Sequence, residues 1–81
     1  MASLKVGRVT HYFDKIKVAV IELTSALGIG ETVEFEKAGF SQTVQSMQQE
    51  HEQVNSAKKS ETVGLLVEKP VKSGDTVLKK S

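Results

Sequence analysis

Three short stretches of the chain repeat one pattern: Gly30-Glu31-Thr32-Val33, Ser60-Glu61-Thr62-Val63 and Gly74-Asp75-Thr76-Val77. Each runs small residue, acid, threonine, valine, and each position has a physical use. A small residue permits a tight turn, and glycine takes positive φ at no steric cost. A carboxylate accepts hydrogen bonds from turn amides, more readily as aspartate than as glutamate. The β-branched Thr and Val that follow favour an extended strand. Their spacings, 30 and 14 residues, are unequal, which excludes a solenoid. The pattern predicts three like entrances into the strands of one small, all-β fold.

Apolar alternation supports the same reading. Val33 and Phe35 alternate with Glu34 and Glu36, and Val63, Leu65 and Val67 alternate with Gly64 and Leu66. Between Lys15 and Leu23 the apolar phase runs Ile16, Val18, Val20 and then changes to Ile21, Leu23, which predicts a β-bulge. Val6 and Val9 predict a similar irregularity near Gly7. Residues 27–30 and 72–75 read as turns, and Pro70 follows the strand at 62–68, where its missing amide donor does no harm. Residues 41–59 read two ways. Val44, Met47, Val54 and Ala57, with His51, fall at helical spacing among good helix formers, and Ser41 suits an N-cap. Gln42-Thr43-Val44-Gln45 is also acceptable as strand.

With 81 residues the chain is read as one domain, residues 1–81, hiding only about 60% of its unfolded surface. It has no cysteine, hence neither a disulfide framework nor a thiolate metal site. The longest apolar run, Val18-Ala19-Val20-Ile21, is far short of the ~20 residues that cross a bilayer. Met1-Ala2-Ser3 leads directly into Leu4-Lys5-Val6 without an apolar targeting segment, so a cytoplasmic protein without membrane association is expected. Net charge is +1, distributed as +2 over residues 1–30, −4 over 31–52 and +3 over 53–81. That is not the strongly basic signature of a dedicated nucleic-acid binder, although folding could join the two basic ends into one patch.

Catalytic and metal chemistry find little footing. His11 and His51 lie far apart, with Asp14, Glu50 and Glu52 near them in sequence, but zinc needs three or four converging ligands at characteristic spacings. No metal or other cofactor is expected. Gly-x-Ser-x-Gly is absent, and Glu34/Glu36 and Glu50/Glu52, at i, i+2, read as solvent-facing pairs on one strand face. No catalytic residue is assigned and the chain is not expected to be an enzyme. Arg8, His11, Tyr12, Phe13, Lys15 and Lys17 interleave cations with aromatics, a pattern suited to neutralising phosphates and stacking bases. If 4–12 and 16–24 pair as neighbours, Arg8, Lys15 and Lys17 lie close together. Arg8, His11, Tyr12, Lys15 and Lys17 are therefore the candidate nucleic-acid-binding residues. The plainer account packs Tyr12 and Phe13 into the core of a chain with one Tyr, three Phe and no Trp. Lys58-Lys59 and Lys79-Lys80 read as solubilising.

Taken in order, residues 7–13 (Gly-Arg-Val-Thr-His-Tyr-Phe), 15–20, 27–33, 44–48, 60–64 with Val54 and Ala57 before them, and 71–78 resemble a known set. They are similar to the β-barrel second domain of elongation factor Tu and related translational GTPases, and most of all to small stand-alone translation elongation factor-like proteins. They also resemble the barrel at the C-terminus of a collagenase-type peptidase family linked to RNA modification. The resemblance covers roughly residues 5–79. It implies a small closed antiparallel barrel of about six strands, with 41–52 a strand and 53–59 a short helical or turn segment. Ser60 stands where the family usually has glycine, and Glu31 where it usually has aspartate. Nothing matches the phosphate-binding Gly-x-x-x-x-Gly-Lys-Ser/Thr loop; Gly28-Ile29-Gly30 lacks the lysine and the following helix, so nucleotide hydrolysis is not expected. The implied function is a non-catalytic module that binds RNA, the ribosome or a translation-related protein. The alternative is an accessory, protein-interaction domain for a partner enzyme such as a collagenase-type peptidase.

Overall fold

The alternating segments and the turns between them form ten strands in the structure, a computed structural model that describes residues 3–50 and 52–80. They are β1 (Ser3–Phe13), β2 (Val18–Leu23), β3 (Leu27–Gly28), β4 (Thr32–Phe35), β5 (Phe40–Thr43), β6 (Met47–Gln49), β7 (Glu52–Gln53), β8 (Ser56–Ala57), β9 (Thr62–Leu66) and β10 (Thr76–Lys80). Eight of them make one antiparallel sheet in the order β5-β4-β10-β1-β2-β9-β6-β7, and β3 and β8 pair as a separate ribbon. The sheet curls strongly around its inner face. There Val9, Ile21 and Val63 lie side by side across β1, β2 and β9, and Ala19, Leu65 and Met47 form the next row. Phe35, fully buried, stacks on Phe40 with ring centroids 5.1 Å apart. The ribbon adds Leu27 and Ala57 to the same core.

The three repeated motifs fold alike. In each turn, the amide of the small residue donates to the carbonyl of one buried residue on another segment, and that residue's amide donates back to the acid's carbonyl. Gly30 and Glu31 hold Val44 in this way, Ser60 and Glu61 hold Leu23, and Gly74 and Asp75 hold Val9, with N···O distances of 2.6–2.9 Å. The small residue has positive φ in all three, 94° at Gly30, 75° at Ser60 and 90° at Gly74. Ser60 therefore sits in a backbone region that suits glycine. Carboxylates complete the turns as expected: Glu31 accepts the Gly28 amide and Glu61 the Lys58 amide. The Asp75 carboxylate, fully buried, instead crosses to the β4–β5 turn and accepts the amides of Lys37 and Ala38 at 2.7 and 3.1 Å.

Two irregularities in β1 tighten the curl, as bulges do. One lies between Lys5 and Gly7 opposite β10, the other between Val9 and His11 opposite β2. At the first, Gly7 brings its backbone so close to β2 that a Cβ would lie 2.7 Å from both the Glu22 carbonyl oxygen and Ile21 Cγ2. The bulge expected in β2 itself is absent. That strand keeps one phase, with Ala19, Ile21 and Leu23 buried inward and Val18 and Val20 half-buried on the outer face. Two apolar sets on opposite faces look in sequence like one set that changes phase.

All-β architecture is as expected, but the sheet has eight strands, not about six, and it is not closed. Among the described residues no backbone ladder joins β5 to β6 or β7. The cause lies at residues 42–46. The Val44 backbone is taken by the Gly30–Glu31 turn, so it cannot continue a ladder towards β6. The side chain of Gln42 spans the seam instead: its Nε2 donates to the Leu66 carbonyl and its Oε1 accepts the Glu68 amide, each at 2.8 Å. Residues 41–59 form no helix among those described. Val44, Met47, Val54 and Ala57 do reach the core, but from extended segments whose bonds go to partners such as Gly64 and Leu27. Pairing with the rest of the sheet overrides local helix preference. Nor is 41–52 one strand or 53–59 helical: a turn at Glu50, with φ 52°, separates β6 from β7, and β8 follows.

Candidate interaction surface

The register that buries Val9, Ile21 and Val63 also fixes what faces outward. Across β1, β2 and β9 the outer rows are Arg8–Glu22–Thr62, His11–Val20–Gly64 and Phe13–Val18–Leu66, with Gln48 of β6 beside Gly64. Gly64 contributes no side chain to the middle row. The result is a hollow of about 350 Å³ walled by Phe13, Ile16, Val18 and Val20 on the apolar side and by Gln48 and Glu50 on the other. A Cβ on Gly64 would come within 3.0 Å of Val18 Cγ1. Ile16 projects from the turn at 14–17, which closes through Lys17 at φ 57°. Phe13, Ile16 and Leu66 are 46%, 61% and 48% exposed, more apolar surface than an outward sheet face ordinarily shows.

The structure divides the residues selected for nucleic-acid binding. Arg8 lies five residues back along β1 from its end at Phe13, roughly 16 Å at about 3.3 Å per residue, and pairs with Glu22 at 3.7 Å. It is not beside Lys15 and Lys17, which are exposed in the turn. Tyr12 faces inward and packs against the core. His11 faces outward and sets its ring edge-on to Phe13, centroids 4.3 Å apart at 64°. Of the aromatics interleaved with these cations, Tyr12 alone thus falls on the inner face, while Phe13 shares the outer face with Arg8 and His11. Of the other basic side chains, Lys79 pairs with Glu31 at 3.1 Å, Lys80 with Glu34 at 4.0 Å, and Lys69 lies over the Phe40 ring.

Elsewhere a second hollow, about 280 Å³, is lined by Lys37, Pro70, Val71, Lys72 and Asp75. Both Asp75 oxygens there are already occupied by backbone amides. Among the described residues no three His, Asp or Glu side chains converge as metal ligands; His51 lies outside the described residues. Glu50 and Glu52 do not share a strand face, because the first is in the turn and the second on β7. The Glu61 carboxyl titrates below the ordinary value of 4.5: the Lys58 amide and then the Gln49 side chain hold it down, burial opposes them, and the Lys58 charge adds a lesser lowering.

Sequence reasoning named Phe13 in its cluster but missed Ile16, Val18, Val20 and Leu66 as surface residues. The available signal was the unbroken run Val18–Ile21. A strand apolar at every position is one covered on both faces.

No family model matches the chain. Over 77 residues, 91% of the chain, it is 39% identical to a segment of an uncharacterized protease of Methanocaldococcus jannaschii. That segment is 19% of the protease, so the chain spans about a fifth of this relative's length. In fold it matches the C-terminal domain of a Geobacillus thermoleovorans protein assigned as a U32 peptidase, with a TM-score of 0.88 at 20% identity, covering 96% of this chain and 93% of that one. The selenomethionine form of the same domain gives 0.85 at 21% identity, covering 94% and 98%. The chain is thus similar in fold to a peptidase C-terminal domain and in sequence to part of a protease. Of the two expected resemblances, these relatives support the peptidase one; they are not elongation factors and lend a translation role no support.

Proposed function

We propose that this chain is an accessory module of a peptidase: a small β domain that positions or regulates a catalytic polypeptide and cleaves no bond itself. One observation carries the reading, the 39% identity over 91% of the chain to a segment that is 19% of a protease. The fold likeness to a peptidase's C-terminal domain supports it. In this reading bond cleavage belongs to the remainder of the peptidase, and the module contributes a shaped surface. An RNA- or ribosome-binding role is not proposed, since Arg8 is matched by Glu22 and Tyr12 is spent on the core.

The test is kinetic. A full-length U32-type peptidase from the same organism is assayed with and without saturating amounts of this chain. The expected result is a changed KM or kcat in the mixture and no hydrolysis by the chain alone. Hydrolysis by the chain alone sinks the reading, and so does the absence of both a complex and a kinetic effect.

A further inference from the structure

We infer that the outer face of β1, β2 and β9 is the surface by which the chain docks on the catalytic part of a peptidase, the hollow over Gly64 receiving an apolar side chain of that partner. The inference rests on the accessory role proposed above and adds the place and the chemistry of contact.

Three observations converge on this face. Among the described residues five large apolar side chains are well exposed, and three of them, Phe13, Ile16 and Leu66, border it. They are continuous with half-buried Val18 and Val20 through the register of β1, β2 and β9. A strand face that only met water would carry polar residues throughout, whereas the outer face of β2 carries Val18 and Val20 before Glu22. The hollow is also built by sequence: Gly64 is the one position in its row without a side chain, and the flanking rows stand higher around it.

The occupant follows from the relatives and from charge. In the M. jannaschii protease the similar segment is 19% of the chain, so there such a module accompanies a body several times its own size. Interfaces between domains of that kind bury about 600–1,500 Å², which this molecule, with 5097 Å² of surface, can supply from one face. Arg8 pairs with Glu22 along the upper rim, which leaves Lys15 and Lys17 of the 14–17 turn as the cations beside this face, fewer than the several phosphate contacts on which nucleic-acid affinity rests. A second copy, offering its own exposed Ile16 to the hollow, is the competing occupant that the experiment separates. A protein partner with a projecting apolar side chain fills the hollow.

The experiment measures binding of the full-length U32-type peptidase of the same organism to the chain and to its Ile16→Lys, Leu66→Lys and Lys72→Glu variants. Circular dichroism checks the fold of each. Ile16→Lys lies in an exposed turn and keeps the test decisive if Leu66→Lys fails to fold. Expected are losses of about tenfold or more for the first two, as for central apolar contacts, and a change within about twofold for Lys72→Glu, which lines the second hollow. Wild-type-like binding by Ile16→Lys and Leu66→Lys overturns the assignment of the face while leaving the accessory role intact. No binding by the wild-type chain overturns both. Self-association that Leu66→Lys abolishes, with peptidase binding unchanged, overturns the inference in favour of a second copy.

Discussion

The side chain of Gln42 bonds to the backbone of Glu68 as a neighbouring strand would, its Oε1 accepting the Glu68 amide at 2.8 Å while its Nε2 donates to the preceding Leu66 carbonyl. One buried amide spans the seam that a closed barrel would have filled with a ladder. Gln42→Ala should therefore destabilise the protein by about 1–3 kcal/mol, the usual effect of stranding buried partners. Gln42→Glu, which keeps the size and loses the donor, should fall in the same range. Urea unfolding of the two variants checks this, and an unchanged midpoint for both would show that the seam contributes nothing.

Ser60 adopts φ 75° in a turn whose two counterparts use glycine. A residue with a Cβ costs roughly 1–2 kcal/mol in that region, part of which glycine returns through its greater freedom when unfolded. Ser60→Gly should stabilise the protein by about 0.5–1 kcal/mol. Gly74→Ala, where space is open but φ is 90°, should destabilise it by a similar amount. Thermal midpoints moving in opposite directions for the two variants are the expected result.

Gly7→Ala should be far more damaging than its size suggests. The new methyl would meet backbone, the Glu22 carbonyl at 2.7 Å, and backbone cannot step aside as a flexible side chain can. A loss of about 1–3 kcal/mol is expected, as for overpacked interiors. Gly64→Ala, whose methyl meets only a Val18 methyl at 3.0 Å, should be milder and should partly fill the outer hollow. Chemical denaturation of both variants ranks them.

Glu61 links the second entrance to pH. Its carboxyl pKa is lower in the folded protein than the ordinary 4.5, so its stabilising effect is present above that value and disappears as pH falls through the lower, folded value. Glu61→Gln should have a lower thermal midpoint than wild type near pH 7, with the gap narrowing below about pH 4.5. A gap that is constant across the acid range would locate the effect in side-chain shape, not charge.

The strand entrances were legible because their physics is local: a positive φ, a carboxylate for a turn amide, and β-branched residues to follow. Gly30, Ser60 and Gly74 announce themselves within four residues. What each turn bonds to was not legible, since Val44, Leu23 and Val9 carry no mark of that role. Residues 41–59 misled in the opposite way. Val44, Met47, Val54 and Ala57 all pack in or against the core, but their helical spacing arose from short strands broken by turns. Similarly, Arg8, His11 and Tyr12 are neighbours in sequence, and the bulge between Val9 and His11 decides which of them faces the core. The docking surface was written in the run Val18–Ile21, yet an apolar outer strand face becomes recognisable only when the inner one is known.

β10 is the last in sequence of the ten described strands and lies near the middle of the sheet, between β4 and β1. Before it is in place, β5-β4 and β1-β2-β9-β6-β7 are two separate pieces with no common ladder. The β1–β2 hairpin can form from neighbours in sequence, but Val9 has to wait for Gly74 and Asp75, contacts spanning most of the chain. Long loops of that kind slow folding. During synthesis the two pieces would therefore wait, each with an unpaired edge, until β10 emerges and joins them.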